Sequence, residues 1–161
     1  MGTGGAERLS ALVMTVGLAI SACSRTESPA PAVTTHMRVT PAPASGAVAA
    51  IVRDALSGAA AEKRTLVVYV GADWCEPCQK FHRAAAGGEL DTVFPSLTML
   101  EFDLDRDAKR LAAAGYVSKY IPLFALPTQD GTASGKQIEG VTKGEGAVAY
   151  IAPRLKRLLA E

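Results

Sequence analysis

The sequence predicts one α/β domain, a mixed parallel and antiparallel sheet with helices on both faces. Three observations carry this. Helical and strand-like apolar patterns follow one another in the order α-β-α-β-α-β-β-α. Helical crossovers join the early strands, as parallel pairing requires, whereas a short turn joins the last two, as in an antiparallel hairpin. The chain of 161 residues is 48% hydrophobic and 20% charged, enough apolar material for one proper core. No internal repeat is visible.

Each element has its own signal. In GAVAAIVRDAL, Val48, Ile51, Val52, Ala55 and Leu56 form the stripe of an amphipathic helix. TLVVYVGA is a continuous β-branched and aromatic run, the mark of a strand buried on both faces. CEPCQKFHRAAAGG reads as a helix with Pro77 in its first turn and Gly87-Gly88 at its end. LTMLEFD, Leu97 to Asp103, gives a second strand. DAKRLAAAG gives a short helix, capped by Asp105 or Asp107 and closed by Gly115. PLFALP is a strand, QDGTASG a turn, KQIEGV a further strand. The tail GEGAVAYIAPRLKRLLAE is helical; Pro153 predicts either a kink or a helix that is well formed from Ala152 onward.

The front end reads differently. Residues 11–20, ALVMTVGLAI, are too few to span a bilayer, which takes about 20 apolar residues. They suit the apolar region of a signal peptide over residues 1–22, with Arg8 as a weak basic flank beside Glu7. Ile20-Ser21-Ala22-Cys23 resembles the lipobox of bacterial lipoproteins, which implies cleavage before Cys23 and lipid on that residue. Residues 24–45 hold four prolines among Ala, Ser and Thr. They predict a disordered, semi-rigid tether over 23–45 and a folded domain over 46–161. His36 is expected to be solvated. The predicted location is outside the cytoplasm, lipid-anchored to a bacterial membrane.

The formal net charge is +1, and no basic cluster or aromatic-basic interleaving occurs, so nucleic-acid binding is not expected. With three cysteines in all, a disulfide-stapled scaffold is excluded. Cys75 and Cys78 therefore stand free for chemistry, in the stretch GADWCEPCQKF. Their spacing suits a zinc knuckle, a structural bridge or redox exchange. Structural zinc takes four ligands, and here only His82 lies near. Covalent haem takes CxxCH, and residue 79 is Gln. Copper(I) held by two thiolates and His82 stays open, as does a structural disulfide. Asp103, Asp105 and Asp107 lack the glycine and closing glutamate of a calcium loop, and predict capping and a solvated loop.

On these residues the chain resembles the thioredoxin fold family. The resemblance covers residues 46–161 and rests on the element order, WCEPC at the first strand-to-helix junction and Ile121-Pro122 before the third strand. ADWCEPCQKF is similar to the thioredoxin-like domains of periplasmic disulfide reductases, and tethered thioredoxin-like lipoproteins are similar too. The resemblance implies a thiol-disulfide oxidoreductase with no cofactor. Its partners would be protein disulfides and a membrane or exported electron donor. Cys75 would be the nucleophile and Cys78 the resolving thiol. Ile121 and Pro122 would form a substrate-binding cis-proline loop, with Leu126-Pro127 the rival position, and Trp74 would shape the docking surface.

Elementary chemistry agrees with these roles. A thiol at a helix N-terminus is ionised more readily than the free value of about 8.5, and a thiol one turn on lies on the same side. Glu76 opposes the thiolate, which favours a reductant over a strong oxidant. Pro77 fixes the first turn. Three features depart from the family pattern. Tyr69 stands where a buried aspartate often helps proton transfer, so Glu76, water or another group must serve. Leu123 replaces a common threonine, and the Val117-to-Pro122 spacing is one residue longer than usual.

Overall fold

The computed structural model describes residues 1–2, 36–142 and 144–161. The signal-type run, the lipidation position Cys23 and most of the tether lie outside the described residues. The chain divides into two units, Met1–Ala30 and Pro31–Glu161, and the whole sheet belongs to the second.

The order in that unit is β1 (Arg38–Pro41), α1 (Val48–Ala61), β2 (Thr65–Gly71), α2 (Glu76–Ala86), β3 (Leu97–Asp103), α3 (Leu104–Ala113), β4 (Leu123–Pro127), β5 (Ala133–Glu139) and α4 (Ala147–Leu158). The five strands lie in the order β1-β3-β2-β4-β5. β3 pairs in parallel with β1 and β2, whereas β2–β4 and β4–β5 are antiparallel. The mixed sheet is the one the crossover and hairpin pattern predicts.

Alternation along the strands divides the core in two, because successive side chains point to opposite faces. Val67 and Tyr69 of β2, Met99 of β3 and Phe124 of β4 pack with Phe81 of α2 and Ile151 and Leu155 of α4. Leu66, Val68 and Val70 of β2, Phe102 of β3 and Leu123 of β4 pack with Val48 and Val52 of α1 and Leu111 of α3. Each large side chain buried this way contributes about 1.5–3 kcal/mol. The first of these faces carries the residues of the functional site.

Five sequence expectations need correction. The domain begins before residue 46: Arg38–Pro41 is an edge strand in register with Thr98–Glu101, inside the stretch read as tether. A run of four residues ending in proline carries too little period to be read as a strand. Tertiary contacts fix it instead. Met37 is buried, its N–H donates to Asp91 Oδ1 at 2.8 Å, and Arg64 Nη2 donates to the carbonyls of His36 at 2.8 Å and Leu97 at 2.6 Å. The cap of α3 is Asp103, whose Oδ1 accepts from the Arg106 N–H at 2.7 Å, not Asp105 or Asp107. Asp107 is wholly buried rather than solvated, and Arg106 and Arg110 both donate to its carboxylate. α4 runs through Pro153 from Ala147, which overturns the alternative of a start near Ala152, with its first turn buried at Ala147 and its centre at Ile151. Apolar packing of that stripe outweighs the hydrogen bond that the proline removes. β5 starts at Ala133, within the expected turn.

Candidate functional site

The site is built at the end of β2. Gly71 closes that strand, and Cys75 caps α2 with extended backbone dihedrals, φ −86° and ψ 104°. A Cβ at Gly71 would lie 2.7 Å from the Tyr69 hydroxyl, so glycine there leaves room for the phenol. Pro77 stands at the second helical position, where a missing N–H costs no helical bond. The N–H groups of Glu76 and Cys78 in this first turn have no helical partner. One of them, on Cys78, donates to Cys75 Sγ at 3.3 Å.

Cys75 and Cys78 are joined in a disulfide with Cα atoms 5.2 Å apart. Both residues are almost fully buried, at 4% and 3% exposure. The surface beside the pair is therefore its rim. That rim is a groove of about 500 Å³, lined by Trp74, Cys75, Pro77, Tyr120, Ile121 and Val141 among others. Trp74, Tyr120 and Val141 are exposed at 66%, 49% and 53%, an unusual concentration of apolar surface beside one bond. Trp74 is thus no core residue. Its Nε1 donates to Asp105 Oδ2 at 2.9 Å, which ties the indole to the start of α3.

The peptide bond Ile121–Pro122 is cis, and it is the one cis bond among the described residues; Leu126–Pro127, the rival, is not. Ile121 brings this segment to the groove beside Cys75. The Gly140 N–H donates to the Pro122 carbonyl at 2.8 Å, and a Cβ at Gly140 would lie 2.7 Å from Pro122 Cγ. The long approach from Val117 to Ile121 is pinned by Glu139, which accepts from the Lys119 N–H at 2.9 Å, and by Gln137, which donates to the Val117 carbonyl at 3.1 Å. Leu123, where the family has threonine, is buried on the α1 face of the sheet and does not reach the groove.

The charges around the pair are already matched. Glu76 lies in the first turn of α2, and Lys80 Nζ is 3.3 Å from its Oε1. Lys80 also bonds Glu145, and this bond, opposed by partial desolvation and reinforced by Glu76, holds the ammonium above its ordinary pKa. The carboxylate that threatens the thiolate thus carries its own counter-charge.

Tyr69 is buried and donates to the Cys78 carbonyl at 3.2 Å. Burial, and then the nearby Glu101 charge, push its pKa well above the usual phenol range. It is a fixed hydrogen-bond donor, not a base. Sequence reasoning missed Glu101. It is the parallel-register neighbour of Tyr69 on β3, and its Oε1 lies 2.9 Å from His82 Nδ1. The available signal was a lone carboxylate on the inward alternation of LTMLEFD, legible only with the strand register. Among the described residues no cluster of three or more metal-ligating side chains occurs.

A protein-family model described as thioredoxin-like matches residues 48–126. Among solved structures, a thioredoxin h from poplar is similar at 20% identity, covering 78% of this chain and 98% of its own, with a TM-score of 0.48. A thioredoxin from Fasciola hepatica is similar at 21% identity, covering 73% and 98%, with a TM-score of 0.45. No curated protein matches the chain. Sheet order, site position and the family match agree: the domain has the thioredoxin-like fold, with Cys75 and Cys78 at disulfide distance.

Proposed function

We propose that this thioredoxin-like domain is a thiol-disulfide oxidoreductase that reduces protein disulfides. One observation carries the reading: the Cys75–Cys78 disulfide sits at the N-terminus of α2, at the floor of an exposed apolar groove. In the reduced state the helix start and the Cys78 N–H favour a thiolate on Cys75. That thiolate attacks a substrate disulfide, and one substrate thiolate leaves. Cys78 then attacks Cys75 Sγ, releasing the second substrate sulfur and forming the disulfide seen here. An electron donor of dithiol type restores the reduced pair.

The substrate is read as an extended segment of a protein, held by the apolar rim at Trp74, Tyr120 and Val141. The direction is read as reductive, because Glu76 limits how far the thiolate is stabilised. The setting we propose is extracytoplasmic, with a signal peptide over 1–22 and a lipid on Cys23 holding the domain at a membrane.

Insulin reduction with the purified domain tests the activity, and Cys78→Ala tests the roles. The variant is expected to accumulate mixed disulfides on Cys75. Absence of both insulin reduction and trapped species contradicts the reading. Mass measurement of the mature chain checks the lipid on Cys23.

A further inference from the structure

Behind the disulfide lies a second cavity, of about 390 Å³, which shares no lining residue with the groove. Cys78 and His82 of α2, Tyr69 of β2 and Glu101 of β3 all line it. His82 stands four residues beyond Cys78, hence on the same face of the helix. Glu101 accepts at His82 Nδ1, which places the ring proton there and leaves Nε2 as the free base. The His82 side chain is 41% exposed and that of Glu101 25%, so the pair can return a proton to bulk water.

The other ionisable groups on this cavity are Asp73, Arg83, Asp103, Arg106 and Tyr69. Asp103 accepts from the Arg106 N–H as the cap of α3, and the Arg106 guanidinium is bonded to Asp107. Arg83 cannot accept a proton, and Asp73 is exposed. The Tyr69 phenol stays protonated and points its proton at the Cys78 carbonyl. Glu76 lines the groove on the other side of the pair.

We propose that His82 is the proton acceptor for Cys78 during resolution of the mixed disulfide, with Glu101 as its positioning residue, acting through water in this cavity. A polar cavity of this size has room for several waters at about 30 Å³ each. The inference rests on the exchange chemistry proposed above. The Cys78 thiol proton passes through water to His82 Nε2, and the carboxylate of Glu101 stabilises the imidazolium. The Cys78 thiolate forms a bond to Cys75 Sγ as the bond from Cys75 to the substrate sulfur breaks. That electron pair leaves with the substrate sulfur, which takes a proton from solvent, and His82 loses its proton to solvent.

Stopped-flow reaction of the reduced protein with Ellman's reagent separates the two steps, since Cys75 releases the first aromatic thiolate and Cys78 the second. Cys78→Ala assigns the phases by deleting the second. In His82→Gln the first phase is expected to be unchanged and the second to slow about tenfold or more. The pH profile of the second phase should also change in this variant. Glu101→Gln should slow it less and also alter that pH profile, because the imidazolium loses its partner. If both variants keep the wild-type rate and pH profile of the second phase, the inference is overturned and the oxidoreductase reading stands. If the reduced wild type releases no aromatic thiolate, both fall.

Discussion

At the scale of single residues, the proposed exchange places two sulfurs beside paired charges. Glu76 repels a thiolate on Cys75, but Lys80 stands 3.3 Å from it. The account therefore predicts a small effect in one direction and the opposite effect from the partner. Glu76→Gln lowers the Cys75 pKa slightly, as loss of one screened like charge does. Lys80→Met raises it, because Glu76 is left uncompensated. Alkylation rate against pH measures both, and two unchanged values would remove Glu76 from the tuning of the pair. The sequence made Glu76 and Tyr69 legible as departures, because both sit at fixed offsets from Cys75. It did not show Lys80 beside Glu145, nor Glu101 beside His82. Those pairs span 65 and 19 residues, and only the packing of α2 against its neighbours joins them.

At the scale of elements, the Pro122 loop depends on the end of β5. Gly140 follows that strand with Pro122 on one side and Ile151 of α4 on the other, and a Cβ would lie 2.7 Å from Pro122 Cγ and 2.9 Å from Ile151 Cδ1. Neither neighbour can yield, one being a ring and the other a fully buried side chain. Gly140→Ala is expected to destabilise the domain by about 1–3 kcal/mol, as overpacking does. It should also slow insulin reduction by shifting Ile121 at the groove. Urea unfolding and the insulin assay check the two effects. Most elements were readable because their periods are strong, as in TLVVYVGA. β1 was not, since its four residues hold no period and pair only through β3. The α4 start at Ala147 was hidden by Pro153, whose local penalty the buried stripe of Ala147, Ile151 and Leu155 overrides.

At the scale of the whole molecule, Asp107 ties α3 to the segment that leads from β1 into α1. Its carboxylate accepts from Arg106 and Arg110, and Arg110 in turn donates to the Gly46 carbonyl at 3.2 Å. Burial alone would raise the Asp107 pKa, but the two guanidinium groups outweigh it and hold the carboxyl below its usual value. The sign follows from linkage. A depressed carboxyl stabilises the fold above the unfolded pKa of about 3.9, and this contribution fades as pH falls through the lower folded value. Asp107→Asn should therefore cost about 1–3 kcal/mol near neutral pH. Its stability should also fall less steeply below about pH 4 than that of the wild type. Denaturant midpoints across that range measure it. The sequence offered Asp107 as a cap because caps are read locally; its burial depends on two arginines and a distant loop.

Cys75 and Cys78 are proposed to cycle between dithiol and disulfide rather than to brace the fold. The most direct measurement is the reduction potential of the pair, by equilibration of the domain against glutathione buffers. The expected value lies above about −300 mV, in the range of couples that exchange with protein disulfides. A value well below about −300 mV would mark a structural bridge and contradict it.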